Sequence, residues 1–404
     1  MKSNRSIILF TSSYPYGKGE QFLKNELKFL SDFFSEIEIF PLKFGKSKKE
    51  RLTPENVKVH KPILGDNSFK SRLNLKTIIN PAIEYKYFKN HFPTELSFKK
   101  LRSYFSAISI ANRVLANLKV KQVLQALNVN DLIYFYWGNG SSFVTPFLKN
   151  IKAKKIIRLH GTDLYENLHN NYFPLRKEQL KNADLILLIS DNGKNYINKK
   201  YPFCKNKLKI SRLGTLNKEK IEHLVSNKSV FRIVSCSGLI KIKRVHLLIE
   251  MLKYIEYEVE WVHFGDGTLK ENIKNKASNL PPNIKVDFKG FVPNPKILEY
   301  YANNSVDLFI NVSESEGIPV SIMEAISYGI PILATDVGGT SEIVTSQTGI
   351  LLQKKFEPEE GSSIINKLIT KRLVFSKSDI KAFWEQNYNA KNNYQELVNV
   401  FFSL

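Results

Sequence analysis

Cysteine is almost missing from this chain of 404 residues: Cys204 and Cys236 are the only two, and they show no pairing pattern. No disulfide framework and no cysteine-built zinc site can be made from them, which fits a reducing compartment. Long hydrophobic runs are missing too. In "MKSNRSIILFTSSYP" the apolar run from Ile7 to Phe10 is too short for the core of a signal peptide. Nothing approaches the roughly eighteen apolar residues of a spanning helix. The expectation is a cytoplasmic protein whose membrane contact is peripheral. There is no Asp-x-Asp triplet, the carboxylate pair that commonly bridges a phosphate-bound metal, and no histidine cluster with metal-ligand spacing. No metal and no cofactor is therefore expected. No Gly-x-Gly-x-x-Gly follows a strand, which weakens a dinucleotide-dependent oxidoreductase. Short-period repeats and low-complexity tracts are absent as well.

The first half also lacks acid. Residues 1–210 hold 37 Lys+Arg against 16 Asp+Glu, a balance of +21; residues 211–404 hold 23 against 22, a balance of +1. The excess is densest in residues 41–100, with 14 basic and 5 acidic residues among Phe69, Tyr85, Tyr87, Phe88, Phe92 and Phe98. Such a half suits nucleic acid, an anionic membrane surface or a phosphorylated substrate, and charge alone does not choose among them.

What is present is an α/β rhythm, run twice. "SIILFT" reads as a buried strand, and Leu23, Leu27, Leu30 and Phe34 recur at helical spacing. "EIEIFPL" then alternates like a strand, completing a βαβ unit. Residues 43–125 break the pattern and read as a basic, mostly helical insert. Strands resume at 131–137, 154–160, 184–190 and 207–214. A second series is expected at 230–238, 258–265, 284–290, 306–312, 331–335 and 349–352. This predicts a domain over 1–215, a second over 229–380, and a terminal helix over 381–404 packing near their junction. The architecture is two doubly wound, Rossmann-like domains facing a cleft.

One stretch concentrates the chemistry: "SESEGIPVSIMEAISYGIPILATDVGGTSEIV". It follows the apolar strand "VDLFINV", at the sheet edge where α/β proteins bind ligands. Pro319 suits a first helical turn, and Gly329 with Pro331 suits the helix end. Glu316 then lies before the helix and Glu324 inside it. The free N–H groups near Gly317 to Val320, at Gly317, Ile318 and Val320 beside the N–H-less Pro319, make an anion site suited to a diphosphate. A capped helix with a surface glutamate is the plainer alternative.

That stretch resembles the donor-site signature of glycosyltransferase family 4, retaining enzymes of the GT-B fold. The matching residues are Glu316, Glu324, Ala325, Gly329, Pro331, Asp336, Gly338 and Gly339. The resemblance implies that Glu316 contacts the transferred sugar, Glu324 the nucleotide ribose, and the backbone from Gly317 to Val320 the sugar and diphosphate. "SCSGLIKIKRVHLLIEML" is similar to the family loop that supplies an arginine and a lysine to the diphosphate. The lysine falls on Lys243, whereas the arginine position holds Gly238; Arg244 or Lys241 stands nearby as a substitute. "HFGDGTLKENI" implies a close approach of Gly265 and Gly267 to the nucleotide. In the first half, "SSYPYGKGEQFLKNEL" resembles the loop near the acceptor, with Gly17 and Gly19 in place. "RLHGTDLYE" implies His160 beside the transferred sugar. Trp137 in "YWGNGSS" and Asp163 are acceptor-side candidates, Arg212 a donor-side one, and Arg176 and Ser190 lesser ones.

The expectation is a retaining, metal-independent hexosyltransferase using a UDP- or GDP-linked sugar. The acceptor is a glycan, or a lipid-diphosphate-linked glycan at the anionic inner face of a bacterial cytoplasmic membrane. Surface polysaccharide assembly, such as lipopolysaccharide, is the expected pathway. A GT-B nucleotide-sugar epimerase is the alternative. A nucleic-acid-binding protein would explain the charge but not the donor signature, and no nucleic acid partner is expected.

Overall fold

The computed structural model describes residues 2–17, 19–65, 97–217 and 230–404. The chain divides into two compact units. One comprises Met1–Arg212 with Asn393–Leu404, the other Leu213–Asn392.

The first unit is built on a parallel sheet of seven strands: β1 Ser3–Thr11, β2 Phe34–Pro41, β3 Val57–Val59, β4 Leu132–Phe135, β5 Lys154–Leu159, β6 Leu185–Leu188 and β7 Leu208–Ile210. Their order is β3-β2-β1-β4-β5-β6-β7, so the winding reverses between β1 and β4. Strands β4 and β6 are buried at every position, as strands covered on both faces must be. The second unit carries six parallel strands: β8 Phe231–Cys236, β9 Val259–Phe264, β10 Ile284–Gly290, β11 Leu308–Asn311, β12 Ile332–Thr335 and β13 Gly349–Leu352. Their order is β10-β9-β8-β11-β12-β13, with the reversal between β8 and β11. In such sheets the crevice at the reversal, beyond the C-terminal strand ends, is where ligands bind.

Three local expectations are corrected. The helix expected to include Phe34 runs only from Leu23 to Phe33, because Phe34 is already extended and opens β2. The stretch 43–125 is not simply helical: β3 lies within it, followed further on by helices Phe98–Ala116 and Leu118–Ala126. Of its aromatics, Phe69, Tyr85, Tyr87, Phe88 and Phe92 lie outside the described residues. The tail expected as one helix over 381–404 is two, Lys377–Tyr388 and Ala390–Phe402. The break falls at Asn389, which is extended (φ −71°, ψ 120°). Thr215 pairs there with both neighbours, its N–H donating to Tyr388 O and its carbonyl accepting from Ala390 N. The last twelve residues then return to the first unit, where Phe401 packs on Phe34 and Tyr134, Phe402 stacks on Phe34, and Tyr394 lies against Phe29.

Beneath the first sheet's reversal lies a fully buried ion pair. Arg158 Nη1 donates to Glu26 Oε2 at 2.8 Å, and Nη2 to Ser211 Oγ at 2.8 Å. The hydroxyls of Tyr134 and Tyr136 also donate to Glu26, at 2.8 and 3.3 Å. Removing one partner of such a pair strands a buried charge, which costs far more than the pair contributes. Arg158→Leu should therefore destabilise the first unit by about 3–5 kcal/mol. Combining it with Glu26→Leu should recover most of that loss, as read from urea unfolding of the two variants.

Candidate active site

In the second unit the chemistry gathers at the reversal between β8 and β11. A single 3-10 turn, Lys241–Lys243, follows β8 and leads into the helix Val245–Leu252. It carries Lys243 to Glu316, Nζ to Oε1 at 2.5 Å. The same carboxylate oxygen accepts from Ser313 Oγ at 2.6 Å and from Asn311 Nδ2 at 3.3 Å. Pro319 caps the helix Val320–Ser327 rather than standing inside it. The N–H groups of Gly317, Ile318, Val320 and Ser321 take no acceptor among the described residues. A cation, a carboxylate and unpaired N–H groups thus meet at one strand end.

The Asp-x-Gly-Gly step shapes this loop. Gly338 has φ +60°, and a Cβ there would lie 1.9 Å from the carbonyl oxygen of Glu316. Only glycine lets the two segments touch, and Gly339 N then donates to Gly317 O at 2.7 Å. Gly265 plays the same part under β8, where a Cβ would meet Ser237 O at 1.8 Å. A Cβ on Gly267 would lie 2.4 Å from the Leu239 carbonyl oxygen.

Glu324 sits a turn inside the helix and is 8% exposed. Burial pushes its carboxyl up to about 7, against a hydrogen bond from Asn294 Nδ2 at 2.6 Å that favours the ionised form. Cys236 lies close by; burial, then the Glu324 charge, push its thiol up to about 12.

Arg244 is committed elsewhere. Its Nε donates to Val312 O at 2.8 Å, Nη2 to Ser313 O at 3.1 Å and Nη1 to Lys354 O at 2.8 Å. It braces the loop that bears Glu316. Gly238 has no positive φ, and a Cβ there would make only ordinary contacts at 3.7 and 3.9 Å. The backbone therefore does not require glycine at the position where an arginine was expected. Arg212 belongs to the first unit, where its guanidinium pairs with Asp191.

The first unit has its own cluster at the β1/β4 reversal. His160, after β5, is buried, with the Trp137 ring tilted against it at 4.2 Å and Tyr136 and Phe22 at 5.3 and 5.8 Å. Neither of its ring nitrogens has a hydrogen-bond partner among the described residues, and Nδ1 lies 3.9 Å from Asp163 Oδ2. Asp163 is a fold organiser, accepting from Gly138 N at 2.5 Å and His160 N at 2.6 Å. Arg176 is buried and donates to the Asp163 carbonyl and to Gln179. Ser190 caps the helix Asp191–Lys200 through Gly193 N. Gly17 adopts φ +70° against Gly45, and Gly19 approaches Ser13 Oγ.

Sequence reasoning missed Glu20. Its carboxylate accepts from the N–H groups of Ser12, Ser13 and Tyr14 at 3.0, 2.7 and 2.7 Å, and from Trp137 Nε1 at 2.6 Å. Its left-handed φ of 53° is unusual for a glutamate. The signal was an acid following Gly-x-Gly after a strand. Asn311, Ser313 and Asn294 were missed as well; Asn311 was legible as a polar residue ending an apolar strand.

Residues 217–386 match the model of glycosyl transferases group 1. Protein CapJ of Staphylococcus aureus is 26% identical over 76% of this chain and 83% of its own. The teichuronic acid biosynthesis glycosyltransferase TuaC of Bacillus subtilis is 25% identical over 61% of this chain and 62% of its own, so the match spans less than two thirds of that relative. Anabaena HepE in complex with UDP superposes over 99% of this chain and 100% of its own, with TM-score 0.65 and 18% identity. The lipopolysaccharide outer core galactosyltransferase WaaB covers 98% and 99%, with TM-score 0.68 and 16% identity. These likenesses establish the fold as GT-B.

A buried carboxyl raised from 4.5 to about 7 keeps its proton in the folded chain while the unfolded chain loses it. Stability therefore falls as pH rises between those values, by on the order of 3 kcal/mol, and levels above them. Glu324→Gln removes that penalty. Its Tm should match wild type below about pH 4.5 and exceed it increasingly up to about pH 8, by differential scanning calorimetry.

Proposed function

We propose that this chain, whose residues 217–386 match the model of glycosyl transferases group 1, transfers a sugar from a nucleotide-sugar donor to a glycan acceptor. The observation that carries the reading is the convergence of Lys243, Glu316 and the start of the helix Val320–Ser327 beyond β8 and β11. A nucleotide diphosphate needs a cation and unpaired N–H donors where its negative charge grows as it leaves. Lys243 and the N–H groups from Gly317 to Ser321 supply them. Glu316, held by Ser313 and Asn311, accepts from a sugar hydroxyl once Lys243 turns to the phosphate. Glu324 accepts from the ribose.

The transfer is a retaining one on a hexose, from a UDP- or GDP-linked donor. The bond from the anomeric carbon to the diphosphate oxygen breaks, and a bond to the acceptor oxygen forms on the same face. The acceptor's proton goes to the departing diphosphate, so no protein nucleophile is required. Lys243 and the helix start carry the role a metal would otherwise have. The first unit takes the acceptor through the ends of β1, β4 and β5, with Trp137 and His160 as its aromatic wall. The names of TuaC and of WaaB speak of teichuronic acid and lipopolysaccharide. They support surface polysaccharide assembly as the setting.

With EDTA present throughout, wild type should transfer sugar from a UDP- or GDP-sugar panel to lipid-linked glycan extracts. Lys243→Ala and Glu316→Ala should each lose at least about a hundredfold in rate while keeping native circular dichroism. Full activity in either variant would sink the assignment.

The acceptor is lipid-linked, and the basic first unit meets an anionic bilayer. Phe98, 80% exposed, neighbours Lys99 and Lys100, and Leu118, 75% exposed, neighbours Lys119 and Lys121. Apolar side chains flanked by cations suit a headgroup boundary. No helix among the described residues is long and apolar enough to cross a membrane. Co-flotation with phosphatidylglycerol vesicles should be strong at low salt and fall as salt shortens the reach of charge. Equal absence of binding to anionic and neutral vesicles would refute the bilayer contact.

A further inference from the structure

The helix Asn294–Asn303 begins in an unusual frame, "VPNPK", with proline on both sides of Asn294. Each ring fixes φ near −65°, so the backbone around Asn294 has little freedom. The Pro293 carbonyl accepts from Lys296 N at 2.9 Å and from Ile297 N at 3.4 Å, closing the first turn. On this mount the Asn294 side chain reaches 30 residues along the chain, and its Nδ2 donates to Glu324 Oε1 at 2.6 Å. The other carboxylate oxygen, Oε2, takes no donor among the described residues, and it is not among the fully enclosed unpartnered atoms. One oxygen is anchored and the other is open.

We propose that Asn294 is a positioning residue for donor recognition: it ties down one oxygen of Glu324, so that the free oxygen is presented to the ribose hydroxyls of the nucleoside diphosphate. The proposal rests on the reading of Glu324 as the ribose-binding group.

The surroundings make the anchor matter. The groups facing Glu324 are the Cys236 thiol at the end of β8 and the Tyr301 phenol on the helix that Asn294 opens. Burial raises both, so both are uncharged near neutral pH. Against the cost of burying the carboxylate, Asn294 supplies the opposing hydrogen bond. The ionised carboxylate is acceptor-only at both oxygens, whereas protonation turns one of them into a donor. Asn294 therefore acts twice, on the direction of the carboxylate and on its readiness to ionise.

The test is calorimetric titration of the full chain with UDP and 2′-deoxy-UDP, and in parallel with GDP and 2′-deoxy-GDP, across a pH range spanning about 7, the Glu324 midpoint. The affinity ratio of ribose to deoxyribose form cancels titration of the diphosphate itself. In wild type this ratio should rise with pH through that midpoint. In Asn294→Ala the ratio should fall by about tenfold, the usual scale of a hydrogen bond to a charged group, and its rise should move to higher pH. Asn294→Asp keeps the shape but sets two carboxyls against each other, so the rise should move further in the same direction. A purely structural Asn294 would lower Tm and leave ratio and midpoint alone; that result in both variants overturns the proposal. If wild type binds a diphosphate but ignores the 2′-hydroxyl, the ribose reading of Glu324 falls and the proposal with it. If it binds neither diphosphate, the donor site itself is refuted. Loss of the ratio in the Asn294 variants with wild-type discrimination intact supports the proposal alone.

Discussion

Everything in the second unit's site depends on how the loop after β11 is held. The loop carries Glu316 and leads into the helix at Val320, yet it is irregular backbone at the edge of a buried sheet. Its carbonyls must find donors or pay for being dry. They find them in a hydroxyl, a backbone amide and a guanidinium. Thr335 Oγ1 donates to Ser313 O at 2.5 Å, and Gly339 N to Gly317 O. Arg244 spends its guanidinium on Val312, Ser313 and Lys354. With the backbone satisfied from behind, Glu316 is left to side-chain partners. Its carboxylate takes Ser313 and Asn311 from its own strand end and Lys243 from the turn after β8, while the loop carbonyls keep partners of their own.

The first unit solves the corresponding problem the other way round. At the β1/β4 reversal a carboxylate also stands beyond the strand ends, but Glu20 accepts from three successive backbone N–H groups and an indole. It is a structural anion: withdrawing it would leave three N–H groups unpaired. Its left-handed backbone is the cost of bringing the side chain back over its own loop. The indole it grips packs tilted against His160, so the same bonds that close the loop also position that aromatic pair. Equivalent places in two similar sheets thus hold acids differently, one by side chains and one mainly by backbone N–H groups.

That contrast explains what could be read from the sequence. Strand positions were legible because parallel strands covered on both faces are short apolar runs between polar loops, and "DLIYFYW" and "DLILLIS" could hardly be anything else. Glu316, Lys243 and the glycines at 338 and 339 were legible because they lie within a few residues of each other or form a spaced signature. What stayed hidden was whatever depends on direction. Arg244 and Lys243 are adjacent in "KIKR", and only the left-handed turn at Arg244, φ 48°, sends one to the loop carbonyls and the other to Glu316. Asn294 and Glu324 are 30 residues apart, and no local pattern joins them. Phe34 continued the helical period, but its next residues paired as a strand, and the sheet overrode the period. The tail looked like one helix because Asn389 is neither glycine nor proline; its break comes from Thr215, a partner far away in sequence.

Where the charge lies bears on what each unit meets. The site's cation, Lys243, is matched by Glu316, and residues 211–404 as a whole carry only +1. The strength of that cluster is local geometry: a lysine within reach of a carboxylate, beside N–H groups with no acceptor among the described residues. Such a site needs no long-range field. The +21 of residues 1–210 therefore has no work to do at the donor. Fields of that size act over a Debye length and concentrate oppositely charged partners before any contact forms. The excess belongs to the first unit, and its reach is that of a basic surface toward anionic partners.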